Sequence, residues 1–196
     1  SSVTPPSCDL TAPVGAQIEA EACGADANGG CNAGAAYESI SCGNAVVFGS
    51  TWASGGTRDT DWYSFTQYGA GDVTATVNSE LPMGVFLLDD ACPPTFFGTA
   101  FSNDVADYCR DITVVGTGVP AGNVVIFASP TTATAAIFDG YPCGDHSDYI
   151  LTVSTTGSCT PLGACCAPAG CSIMTQADCI SAGGNYLGDD SVCETV

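Results

Sequence analysis

The stretch Gly71-Asp-Val-Thr-Ala-Thr-Val77 sets the reading of the whole chain. Val73, Ala75 and Val77 fall on one face and Thr74 and Thr76 on the other, the two-residue period of a strand with one side buried. The same alternation returns at Tyr149-Ile-Leu-Thr-Val153, where Tyr149, Leu151 and Val153 alternate with Ile150 and Thr152. Ala45–Phe48, Asp61–Thr66, Val85–Leu88, Ile112–Val115, Val124–Ala128 and Ala135–Phe138 read as further strands, most of them starting 11–16 residues apart. Asp61–Thr66 puts Trp62 on one face and Tyr63 and Phe65 on the other, and the latter two read as core. No amphipathic helical repeat occurs before residue 170. The pattern predicts an all-β chain, an antiparallel jelly-roll-like β-sandwich.

Outward from these strands the chain changes character twice. Residues 1–18 are rich in Ser, Thr and Pro, and Pro5-Pro6 and Pro13 favour an extended arm. Residues 19–157 hold the strands. Residues 158–196 carry six of the 13 cysteines. There Thr175-Gln-Ala-Asp178 predicts a capped helix over about 176–182, ended by Gly183-Gly184. So small a unit is expected to need crosslinks to hold its shape.

Charge excludes several functions. The chain has 21 acidic and two basic residues, Arg58 and Arg110, for a net charge of −19. Such a surface repels phosphate backbones and anionic lipid, which argues against nucleic acid as a partner. No apolar run approaches the roughly 20 residues of a membrane helix, so membrane insertion is not expected. The acidity serves either solubility or divalent cations, and both readings stay open. Hydrophobic residues make up 45 %, enough for a real core.

Thirteen cysteines point to an oxidising compartment, and the absence of any C-x-x-C pair with a single histidine argues against zinc. The chain begins at Ser1 without Met, so a removed signal peptide and a secreted, cell-surface location are expected. Because the cysteine count is odd, at least one thiol is free, shared between chains, or lacks its partner here. The expected bonds are Cys23–Cys31 across a glycine-rich loop, Cys92–Cys109 across the longest gap between strands, and Cys42–Cys143. Cys8 is a further candidate for Cys159.

Two stretches carry a family resemblance. Glu19-x-Glu21, Asp59-Thr-Asp61-Trp62-Tyr63-Ser-Phe65, Val73–Val77, Ala121-Gly-Asn123 and the run from Gly140-Tyr141 to Val153 resemble the bacterial pre-peptidase C-terminal domain family, including its collagen-binding relatives. Gly163-Ala-Cys-Cys166, Cys171, Cys179, Gly188-Asp189 and Cys193 resemble a small cysteine-rich repeat of secreted bacterial proteins. The first resemblance implies a jelly-roll sandwich without catalysis of its own. It also implies calcium held by Glu19, Glu21, Asp59 and Asp61, to which Asp26 and Asn28 could add oxygens. The opposing reading caps a turn with Asp59, or pairs it with Arg58, and leaves Asp61 in solvent.

Enzymatic readings are poor. The single histidine, His146, neighbours Ser147 and Asp148 in sequence, but a catalytic triad is a spatial arrangement, and no Gly-x-Ser-x-Gly elbow is present. The expected role is a non-enzymatic structural protein. It would associate with copies of itself in a surface fibre, appendage or layer, with the proline-containing arm as a strand lent to a neighbour. The competing role is a calcium-dependent module that binds extracellular glycans or protein, with Trp52 and Trp62 available to sugar if exposed.

Overall fold

The computed structural model describes residues 8–25, 27–144 and 146–193. Eight strands build the sandwich, and seven shorter ones trim it or form the C-terminal sheet. In chain order they are β1 (Gln17–Ile18), β2 (Glu38–Ser39), β3 (Asn44–Ser50), β4 (Ala53–Ser54), β5 (Thr57–Arg58), β6 (Asp61–Gln67), β7 (Gly71–Ser79), β8 (Met83–Leu88), β9 (Phe96–Phe101), β10 (Ile112–Val119), β11 (Gly122–Pro130), β12 (Asp148–Thr155), β13 (Gly163–Ala167), β14 (Gly170–Met174) and β15 (Asn185–Tyr186). One sheet runs β1-β3-β12-β7-β10 and the other β2-β6-β11-β8-β9. Counting only the eight long strands, the sheets read first-eighth-third-sixth and second-seventh-fourth-fifth, which is the jelly-roll order.

The alternating faces do what their period requires. Val73, Ala75, Val77, Leu151 and Val153 from the first sheet meet Tyr63, Phe65, Val85, Leu87, Val124 and Ile126 from the second in one buried core. Each fully buried aliphatic side chain contributes roughly 1.5–3 kcal/mol. Trp62, pointing the other way, packs on the outer face of the second sheet with Leu88, Val125 and Phe127. Its ring meets Phe127 edge-on at 4.9 Å. The loop at Gly30 covers it so closely that a Cβ there would lie 2.0 Å from the indole, and the backbone adopts φ 51°. Only glycine fits both conditions.

Three features differ from the sequence reading. The sandwich is not wholly antiparallel: β1 pairs parallel with β3, and β2 parallel with β6. These two-residue strands lie beside the outer strand of each sheet and shorten its exposed edge. Ala135–Phe138 is not a strand. After β11 the chain turns sharply, with the Ile137 N–H donating to Pro130 O at 3.2 Å. The Thr131 and Thr132 hydroxyls bond to Ala135 O, so the segment is consumed by its turn. Conversely, the gap between Leu88 and Ile112 contains β9, whose FFGTAF run lacks clean alternation because it lies at a sheet edge.

The disulfide map is long-range. Cys8 bonds Cys109, Cys23 bonds Cys143, Cys31 bonds Cys92 and Cys42 bonds Cys159. The expected pairings Cys23–Cys31, Cys92–Cys109, Cys42–Cys143 and Cys8–Cys159 are therefore replaced, although every cysteine named in them is bonded. The missed strand β9 explains the central error. Leu88 pairs with Phe96 and Gly84 with Phe101, so Cys92 lies at one end of the β8–β9 hairpin and Cys109 beyond the other. The paired stretch between them alone spans roughly 14 Å, against the 4.4–6.8 Å between Cα atoms of a cystine. The arm from Cys8 onward folds onto its own sandwich, where the Leu10 N–H donates to the buried Glu80 carboxylate at 2.6 Å. Within one copy residues 8–18 therefore lie on their own sandwich, and residues 1–7, the remainder of the arm, lie outside the described residues.

Beyond Cys159, β14, β13 and β15 form a small antiparallel sheet against helix α1 (Gln176–Ser181). Thr175 caps α1 by accepting the Asp178 N–H. Cys165–Cys179 and Cys171–Cys193 lock this unit, and Cys166 is free and exposed. The strands of this unit are short and lack a buried alternating face, so no period of two marks them in the sequence.

Candidate functional site

Three of the four candidate ligands meet at one end of the sandwich. Glu19 follows β1, and its N–H continues the pairing by donating to Phe48 O at 3.0 Å. Its side chain turns inward and is 7 % exposed. The Tyr63 hydroxyl donates to its Oε1 at 2.7 Å, Tyr149 to the same atom at 3.2 Å, and the Ser50 N–H to Oε2 at 2.9 Å. Asp61 opens β6 opposite Ala128 of β11 and is fully buried. Glu21 reaches in from the following loop, where its Oε2 accepts the Asn28 N–H at 3.1 Å and the Ala27 N–H. One carboxylate oxygen from each of Glu19, Glu21 and Asp61 lies within 4.8 Å of the others.

Asp59 is placed differently. It is fully buried and close enough to raise the pKa of Asp61, but its Oδ1 accepts the Thr60 N–H at 3.0 Å and it lies outside the three-acid group. Arg58 donates to Pro130 O at 2.6 Å, and its guanidinium lies 5.1 Å from the centre of the Phe138 ring. Asp61, which could have been a solvated surface acid, is instead sealed from water. Asp26 lies outside the described residues. Asn28 is buried, and its Nδ2 donates to Glu19 Oε1 at 3.3 Å.

The electrostatics are unbalanced. Two unit charges 4.8 Å apart repel by roughly 3 kcal/mol at an effective dielectric of 20, and three such pairs approach the whole stability of a domain. Burial, then Glu19, Asp59 and Glu21, push the Asp61 carboxyl well above its usual range. Burial also raises Glu19, with the Ser50 N–H and the Tyr63 hydroxyl working against it. Tyr149 alone works against that rise at Asp61, yet neither Asp61 oxygen meets a donor in regular hydrogen-bond geometry among the described residues, and Glu21 Oε1 and Asn28 Oδ1 are likewise unpartnered. Holding protons or sharing a cation would each relieve this repulsion. Four hard oxygen-bearing side chains without nitrogen or sulfur ligands suit calcium, which takes 6–8 oxygens. The residues therefore fit the ion that the sequence resemblance implies.

Sequence reasoning missed the supporting groups. Tyr63 and Tyr149 read as core, and they are, yet their hydroxyls orient Glu19. Gly49 supplies the room: a Cβ there would lie 2.6 Å from the Tyr149 ring and 2.9 Å from Glu19 Oε2. A glycine within an otherwise apolar strand was the available signal. Trp62 is buried and unavailable to a ligand. The Ser147 hydroxyl donates to Pro142 O at 3.3 Å and accepts the Gly144 N–H at 3.2 Å. No hydrogen bond joins it to His146 among the described residues.

No protein-family model matches the chain, and no curated protein does. Among solved structures it is similar to the pre-peptidase C-terminal domain of collagenase from Bacillus anthracis. The match has a TM-score of 0.37 and 17 % identity, covering 61 % of this chain and 96 % of that one. No helix among the described residues is long and apolar enough to cross a membrane. Six disulfides suit an oxidising compartment.

Proposed function

We propose that this chain is a secreted, non-enzymatic structural protein that carries tension in an extracellular assembly of its own copies, with calcium closing the acid cluster. The observation that supports this reading is the covalent clamp on both exits of the sandwich. Cys8 is tied where the arm enters, and Cys159 where the C-terminal unit begins. Between them, tension has two nearly equal routes. One crosses Cys23–Cys143 after roughly 31 residues of backbone, and the other crosses Cys42–Cys159 after roughly 34, out of about 151 between the two cysteines. A chain so tied cannot unravel even if its hydrogen bonds shear.

Electron microscopy of native material and mass photometry across a dilution series test the assembly. Fibres, layers or a concentration-dependent oligomer series are expected. Uniform monomers at every concentration would overturn the proposal.

A further inference from the structure

A cavity of about 370 Å³ runs along the outer side of β6, apart from the acid cluster. Its polar wall is formed by Tyr37, Ser39, Ser64, Thr66, Asp90 and Asn123. Three of these are already wired together. Thr66 Oγ1 donates to Asn123 Oδ1 at 2.6 Å, and Asn123 Nδ2 donates to Asp90 Oδ2 at 2.8 Å. That network fixes which way the amide faces, and among the described residues it leaves one amide N–H of Asn123 and Oδ1 of Asp90 uncommitted.

Rigid elements hold the groove. Thr66 and Asn123 stand opposite one another on paired strands β6 and β11. The Cys31–Cys92 disulfide ties the segment before Tyr37 to the turn that bears Asp90. The Tyr37 hydroxyl donates to Asp90 O at 3.4 Å and lies 3.9 Å and 3.8 Å from the two bridging sulfurs. Aromatic wall and acidic turn are therefore fixed before any ligand arrives, which lowers the entropic cost of binding.

The chemistry selects the ligand. Asp89 and Asp90 adjoin the site and the chain carries no lysine, so an anion is repelled. A fixed acceptor beside a fixed donor matches two adjacent hydroxyls, one donating to the carboxylate and the other accepting from the amide. The volume lies within the range of small-ligand sites. We propose that this groove binds a neutral saccharide, with a vicinal diol held between Asp90 and Asn123 and Tyr37 as its aromatic wall. This site is independent of the assembly proposed above, and either can fail alone.

The test is an NMR titration of the oxidised chain with cellotriose, mannotriose and maltotriose, each to about 10 mM, a range that detects weak binding. At least one should bind saturably, with shifts centred on Tyr37, Ser64, Thr66, Asp90 and Asn123. Asn123→Ala should weaken binding at least tenfold, and Asp90→Asn, which keeps the shape, should do the same. Thr113→Ala on the opposite sheet should change nothing, and neither should EDTA. No binding to any of the three, shifts elsewhere, or indifference to both groove variants would overturn the proposal. So would loss of binding in EDTA, or tighter binding of a sulfated oligosaccharide.

Discussion

Pulled from its two ends in oxidising buffer, the chain should lengthen far less than its sequence allows. The shortest covalent route runs from the N-terminus to Cys23, crosses to Cys143, continues to Cys171, crosses to Cys193 and leaves at the C-terminus. It contains about 53 residues, or roughly 190 Å at 3.5 Å per residue. With all disulfides reduced, the full chain should extend to roughly 690 Å. Optical tweezers with handles on both termini measure this directly. Removing Cys23 and Cys143 together should add only about 10 Å, because the route through Cys42–Cys159 is about three residues longer. Removing both bonds shifts the load to Cys8–Cys109 and should raise the limit to roughly 250 Å. An extension of several hundred ångströms in the oxidised chain would refute the bond map and the tension-bearing role built on it.

Further predictions concern the acid cluster. Because Glu19 and Asp61 are raised above their ordinary values, the ion-free folded chain binds more protons than the unfolded one. Its melting temperature should therefore fall as pH rises from about 4 through the folded values, and calcium should reverse the trend by stabilising the ionised acids. Calcium at about 100 times its dissociation constant should add roughly 2.7 kcal/mol, read as a rise in melting temperature that EDTA removes. A flat response to calcium would refute the site. Asp61→Asn should remove the calcium response and weaken the pH dependence, and calorimetry with and without calcium tests both. Gly49→Ala, which drives a methyl against Tyr149 and Glu19, should cost roughly 1–3 kcal/mol by chemical denaturation and lower calcium affinity. Native protein should react with a single equivalent of maleimide, at Cys166.

How much of this was legible follows from range. The strands that alternate, Val73–Val77 and Tyr149–Val153, announced themselves because a buried face imposes a period of two on local sequence. Glu19, Glu21 and Asp61 were singled out because their residue types match the chemistry, although Asp61 looked as suited to solvent as to the interior. What stayed hidden depends on pairing between distant segments. Strand β9 has an edge composition, and without it Cys92 and Cys109 seem natural neighbours. Tyr63 and Tyr149 gave a core signal, and their hydroxyls acquire a second role only once β6 and β12 face each other across the sandwich. The parallel pairing of β1 and β2 rests on two residues each, too few for any period.

The order of the cysteines has a consequence for how such a chain is made. Read from the amino end, Cys8, Cys23, Cys31 and Cys42 all precede their four partners, so a chain synthesised in that direction presents them to an oxidising space before any partner arrives. An oxidase that joined thiols in order of appearance would bind these four to one another and trap the amino-terminal fifth in the wrong connectivity. Native pairing must wait for the last strand of the sandwich, Asp148–Thr155, and for Cys159 behind it. On the secreted reading proposed above, folding would need a disulfide isomerase, or sheets that collapse before the bonds close.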